Sequence, residues 1–159
     1  MYTDLIQLEN ELDEFLYNFG YQVIDLQSAG LGKNRLFRLF VDRVDNAPTT
    51  VDDCSAIAPQ VILFLEQKKL YDDRCSLEVS SGGLDRLLKR DRDLERYLGS
   101  KIRVTVHEGS VKRTLEGELL SFTDEVVVVM PTEAAPEAKA MMLARANVDR
   151  IRLVPQVEF

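Results

Sequence analysis

One stretch limits how this chain can fold. Residues Cys75–Leu88 read C-S-L-E-V-S-S-G-G-L-D-R-L-L, a short alternation that runs straight into two glycines. Cys75, Leu77 and Val79 fall on one face of a strand, Ser76, Glu78 and Ser80 on the other. Before this point helix-period and strand-period segments are mixed; after Gly99 only short strand-period segments remain. A change of period at a Gly-Gly pair marks the end of one unit and the start of another. The expected division is therefore a first domain over 1–83, a hinge over 84–90 and a second domain over 91–159.

In the first part, Leu5, Leu8, Leu12, Phe15 or Leu16, and Phe19 recur at steps of three and four, which predicts a helix from about Asp4 to Phe19. Thr3 is placed to cap it, Asp4 suits its dipole and Gly20 suits its stop. Its other face carries Glu9, Glu11, Asp13 and Glu14, either a solvated surface or one that attracts a basic protein. Tyr21–Gln27 and Arg35–Arg43 alternate as strands joined across residues 28–34, where two glycines fit a flexible hairpin. In the second strand Phe37, Leu39 and Val41 form one face, and Leu36, Arg38 and Phe40 the other. Apolar residues on both faces predict partial cover of the second.

Thr50 with Asp53 resembles a capping box for a helix reaching about Lys69. Its buried side should hold Cys54, Ile57, Val61, Phe64 and Leu65. Pro59 removes an amide and crowds the carbonyl of Ser55, so a kink or break near Ala58 is expected. The order is α-β-β-α-β, in which the first two strands are antiparallel and the crossover makes the next pair parallel. The expectation is a mixed three-stranded sheet backed by two helices.

The second part begins with a short charged helix over Lys89–Tyr97, closed by Gly99. Strands are expected around Ile102–Val106, Val111–Phe122, Val126–Met130, Lys139–Leu143 and Asp149–Val154, enough for a small closed or nearly closed β-barrel. Gly117 would permit the sharp bend such a barrel needs, and residues 131–138 read as a mobile loop. The overall class is α+β.

Charge separates the halves. Residues 1–83 hold 7 Lys/Arg against 14 Asp/Glu, residues 84–159 hold 13 of each, and residues 84–113 hold 9 Lys/Arg against 5 Asp/Glu. A net charge of −7 argues against broad binding of bare nucleic acid. Two kinds of partner surface are suggested, one acidic and one basic.

Little here suggests catalysis or a cofactor. Cys54 and Cys75 have no C-x-x-C spacing and sit in apolar periodicity, so both are expected as reduced core residues. His107 is the sole histidine, and at a strand end it reads as a turn residue rather than a base. The adjacent pairs Asp52-Asp53 and Asp72-Asp73 read as first-turn helix charge and loop solvation, since neighbouring residues on a helix point apart, and G-G-L-D-R lacks the G-K-[ST] of a phosphate-binding loop. No terminal segment reads as a signal peptide or membrane span, so the expectation is a soluble cytoplasmic protein with no cofactor, metal, membrane partner or small-molecule substrate.

L-E-V-S-S-x-G-L-D-R at Leu77–Arg86, followed by Arg96-Tyr97-x-G-x-x-Ile-x-Val, resembles RimP, the bacterial ribosome maturation factor family. V-I-D-L, F-R-L-F-V-D, D-D-C and I-R-L-V-P occur in the family's order along the whole chain. Gly82 and Leu87 depart from the pattern, since the family normally has proline at both. Those two departures loosen the hinge.

The resemblance implies an α/β first domain, an Sm-like (Src-homology-3-like) barrel, and a monomer that associates with the free small ribosomal subunit late in assembly. The implied contacts are small-subunit ribosomal protein twelve and nearby rRNA. Candidate partner-binding residues are Ser80, Ser81, Gly83, Leu84, Asp85 and Arg86, with Arg90, Arg92, Lys101, Arg103, Lys112 and Arg113 as nearby cations. Residues 80–83 read as a backbone nest for phosphate or protein, or as a plain strand end. Asp85-Arg86 reads as an interdomain ion pair or a direct contact. A direct RNA-binding module of the Sm-like type is the alternative, weakened because Phe122 and Phe159 are the only aromatics after Tyr97.

Overall fold

The computed structural model describes residues 5–30, 34–132 and 139–155. The expected cap at Thr3 and Asp4, the hairpin tip at 31–33 and most of the 131–138 loop lie outside them. The chain divides into two compact units, Met1–Gly83 and Leu84–Phe159. Residues 84–90, expected as a separate hinge, fall within the second.

The first unit is α1 (Leu5–Tyr17), β1 (Tyr21–Ala29), β2 (Arg35–Arg43), α2 (Val51–Gln67) and β3 (Cys75–Ser81). The sheet has the order β1-β2-β3, with β1 antiparallel and β3 parallel to β2. Leu8, Leu12 and Leu16 of α1 and Cys54, Ile57, Val61 and Leu65 of α2 close over Val23, Leu26, Phe37, Leu39 and Val41. Phe37 is 1% exposed, and removing such a side chain from water contributes about 1.5–3 kcal/mol before entropic costs. Leu36 and Phe40, on the opposite face of β2, are half-buried as their pattern predicts.

Two local readings of the sequence change. Of the kink or break expected near Ala58, the break is absent: α2 runs continuously through Pro59. Both Pro59 and Ser55 lie on the exposed face, so the carbonyl that loses its helical donor is open to water. The helix stops at Gln67 rather than Lys69. There the Leu70 amide bonds to the Leu65 carbonyl and the Lys69 amide to that of Glu66, with Lys69 left-handed at φ 62°; this is a Schellman stop made without glycine. The capping box at the other end is present, Thr50 and Asp53 each accepting from the other's amide.

The acidic face of α1 also departs from the sequence reading. Glu9 is 5% exposed, and its Oε1 accepts a 2.9 Å bond from the Leu26 amide. Asp13 accepts at 2.7 Å from the Val23 amide. These are amides on the outer edge of β1, and the two carboxylates satisfy what would otherwise be unpaired donors. Glu11 pairs with Lys68, just past the end of α2, at 2.7 Å, and that bond holds its carboxyl below the usual range.

The second unit holds α3 (Asp91–Arg96), β4 (Lys101–Glu108), β5 (Val111–Phe122), β6 (Val126–Pro131), β7 (Met141–Ala144) and β8 (Val148–Leu153), with a 3-10 turn at Arg145–Asn147. All its strand pairs are antiparallel, in the order β7-β6-β5-β4-β8. Leu88 and Leu94 cover a core of Ile102, Val104, Val106, Leu119, Val127, Val129 and Ile151. Gly117 is required by close approach: a Cβ there would collide with the Met130 carbonyl and lie 2.6 Å from Val129 Cγ1. The ladder irregularity of β5 comes further along, between Leu119 and Ser121.

Candidate functional site

Ser80 and Ser81 are ladder residues of β3, opposite Phe40 and Val41. Their backbone is extended, so they do not themselves form the concave nest considered from the sequence. Ser80 is exposed and Ser81 half-buried. Gly83 has φ 77°, a conformation that a side chain would strain, and Leu84 stands 77% exposed.

From Asp85 onward the chain is tied to β8. The Asp85 carbonyl accepts from Arg152 at 3.3 Å, the Arg86 carbonyl from the Leu153 amide at 2.9 Å, and the Leu88 amide donates to Ile151 at 2.8 Å. Leu87 and Arg152 form an antiparallel bridge. These bonds give residues 86–88 the character of a short extra strand beside β8, where the sequence alone predicted loose linker. The Arg86 guanidinium lies 5.6 Å from the Tyr97 ring centre and Arg96 lies 5.2 Å from it. Two cations on one aromatic ring fix the direction of both side chains.

Arg90 precedes α3, and its amide and that of Lys89 both donate to the Asp93 carboxylate, at 3.1 and 3.2 Å. Asp93 is 4% exposed. Burial pushes its carboxyl above the usual range, against the two amides, which pull it down. Arg92 is half-buried beside it in sequence. The role of Asp93 is to hold the start of α3, and with it the basic segment 89–92, in one conformation.

The remaining candidates stand on β4 and β5, and the structure pairs each with a carboxylate. Arg103 reaches Glu116 at 2.8 Å and Lys101 reaches it at 3.5 Å. Arg113 meets Glu108 at 3.0 Å, and Lys112 meets Asp149 at 3.5 Å. The Arg103 hydrogen bond, ahead of burial acting the other way, holds the Glu116 carboxyl below its ordinary range. What looked like a run of cations is an alternation of charges across strands. Exposed pairs of this kind are worth only about 0–1 kcal/mol each and exchange readily for a partner's charges.

Sequence reasoning left out Arg150 and Arg152. Register sets Arg152 beside Arg103 and Arg150 beside Thr105, so the outer face of β4 and β8 carries three arginines together. The signal was present in Arg150-Ile151-Arg152, where a buried Ile151 between two arginines turns both outward. His107, expected as a turn residue, is a β4 residue whose Nε2 lies 3.1 Å from Asp149. That bond is the main reason the Asp149 carboxyl sits below its usual value.

A recess of about 440 Å³, lined by both apolar and charged side chains, opens between residues 87–89, Leu94, Arg145 and the start of β8. Arg145 on its rim is fixed by Asp91 and the Thr123 carbonyl, both at 2.8 Å. Among the described residues, no cluster of three or more His, Cys, Asp or Glu side chains is arranged for a metal ion, and no helix is long and apolar enough to cross a membrane.

Set against known families, residues 11–85 match the family model described as the RimP N-terminal domain. The match begins within α1 and ends two residues beyond the first unit.

Proposed function

We infer that this chain, which the match at residues 11–85 assigns to the RimP ribosome maturation factor family, assists late assembly of the small ribosomal subunit by binding the free or assembling particle, without catalysis. The observation that carries the reading beyond the family is the division of charge: 14 acidic against 7 basic residues in the first unit, and Arg103, Arg150 and Arg152 gathered on one sheet face of the second. A small subunit offers partners of both signs, basic protein and rRNA phosphate. The acidic unit suits the first and the arginine face the second.

In this reading the second unit is an Sm-like barrel, the chain acts as a cytoplasmic monomer, and the protein partner is small-subunit ribosomal protein twelve. Ser80, Ser81, Gly83, Leu84, Asp85 and Arg86 make the central contact. Arg90, Arg92, Lys101, Arg103, Lys112 and Arg113 of the second unit are further contacts, joined by Arg150 and Arg152. Preferential binding to an immature conformation raises that conformation's population until the next component joins, and nothing in the step requires turnover.

The three arginines of β4 and β8 also favour a second reading, direct binding of RNA by the second unit. Co-sedimentation with free small subunits, complete ribosomes and naked rRNA separates the two. Binding to free subunits with little to the others supports the assembly factor; equal binding to naked rRNA overturns it in favour of the RNA module.

A further inference from the structure

The two edges of the first sheet are finished in opposite ways. On the β1 side the ladder shifts register between Val23 and Asp25, and Glu9 and Asp13 accept from the outward amides of Leu26 and Val23. On the β3 side the parallel register runs without interruption from Arg35 and Cys75 to Val41 and Ser81. Among the described residues no strand lies beyond β3. Alternate residues of a parallel edge strand turn their N–H and C=O groups away from the sheet, here along seven residues, or about 23 Å.

Exposed edges are ordinarily blunted by lysine, proline or a bulge. Cys75–Ser81 has none of these. Its one charge, Glu78, is held across the ladder by Arg38 at 3.0 Å. The inner row of side chains is also one strand short. Phe37, Leu39 and Val41 of β2 are at most 1% exposed, whereas Cys75, Leu77 and Val79 beside them are only half-buried.

We propose that the free edge of β3 is a strand-docking site that takes an extended segment of a basic protein, pairing with its backbone and laying apolar side chains beside Leu77 and Val79. The proposal rests on the ribosomal reading above. Charge selects the occupant. Residues 1–83, with 14 Asp/Glu against 7 Lys/Arg, repel both RNA and a second copy of the same unit, and attract a cationic segment. On the outer row Ser76, Glu78 and Ser80 are exposed, and their small or acidic side chains leave room for lysine or arginine opposite.

The test is hydrogen–deuterium exchange on the full chain, alone and with saturating free small subunits, read on peptides spanning 75–81, with co-sedimentation alongside. Exchange in 75–81 should slow about tenfold or more on binding, as amides without partners gain them. Glu78→Lys should weaken co-sedimentation about tenfold while the fold is retained. Co-sedimentation without slowing in 75–81 overturns the docking edge and leaves the ribosomal reading standing. Loss of co-sedimentation in the unaltered protein overturns both. Slowing produced by naked rRNA, or by raising the concentration of the chain alone, overturns the basic-protein occupant.

Discussion

Glu9 and Leu26 meet at the edge of the first sheet, where a carboxylate 5% exposed accepts a backbone hydrogen bond of 2.9 Å. A helix side chain here does the work of a missing strand. Glu9→Ala leaves the Leu26 amide buried without its acceptor, and should destabilise the first unit by about 1–3 kcal/mol. Glu9→Gln keeps an acceptor oxygen and should cost less. Denaturant unfolding followed by far-ultraviolet circular dichroism measures both, the chain having no tryptophan to report by fluorescence.

Asp53 links three elements, accepting from the Tyr21 hydroxyl at 2.6 Å and from the Thr50 amide at 2.8 Å, with Arg43 at 3.4 Å. The Tyr21 bond first, then Thr50, lowers its carboxyl to about 2, from an ordinary 3.8. A folded-state value below the unfolded one means that ionisation favours folding above pH 3.8, and that this contribution is lost as pH falls through about 2. The unaltered protein should therefore exceed Asp53→Asn in stability near neutral pH, the gap closing as pH drops across that window. A gap independent of pH would remove the charge from the explanation.

Gly117→Ala forces a methyl against the Met130 carbonyl and Val129, both on the neighbouring strand. Overpacking of this kind should destabilise the second unit by about 1–3 kcal/mol. Resonances from β5 and β6 should shift in the nuclear magnetic resonance spectrum, with those of α1 and α2 unmoved.

Arg86→Glu removes one of the two guanidiniums from Tyr97 while leaving the backbone bonds to β8 in place. The fold should persist by circular dichroism, and co-sedimentation with free small subunits should weaken about tenfold. Unchanged binding would take Arg86 out of the contact.

Much of the architecture was legible because periodicity reports burial directly. Leu8, Leu12 and Leu16, or Leu77 and Val79, announce their faces by spacing alone. Glu9 and Asp13 did not, since a carboxylate on a helix reads as solvated until a strand edge with open amides is known to lie beneath it. The same limit applied to the cations. Counting residues 84–113 gives an excess of positive charge, but the carboxylates that neutralise Arg103 and Lys112 arrive through strand register, Asp149 from 37 positions beyond Lys112. Arg150 and Arg152 were passed over because their meaning depends on the neighbour that β4 supplies.

The two thiols of the first unit differ in access. Cys54 is 8% exposed and burial pushes its thiol up, while Cys75 is half-buried at the start of β3. An alkylating reagent therefore meets them in sequence, Cys75 from the folded state and Cys54 chiefly when α2 opens. The chain thus carries an internal clock: modification at Cys75 marks access to the sheet edge, and modification at Cys54 marks the rate at which the core is breached.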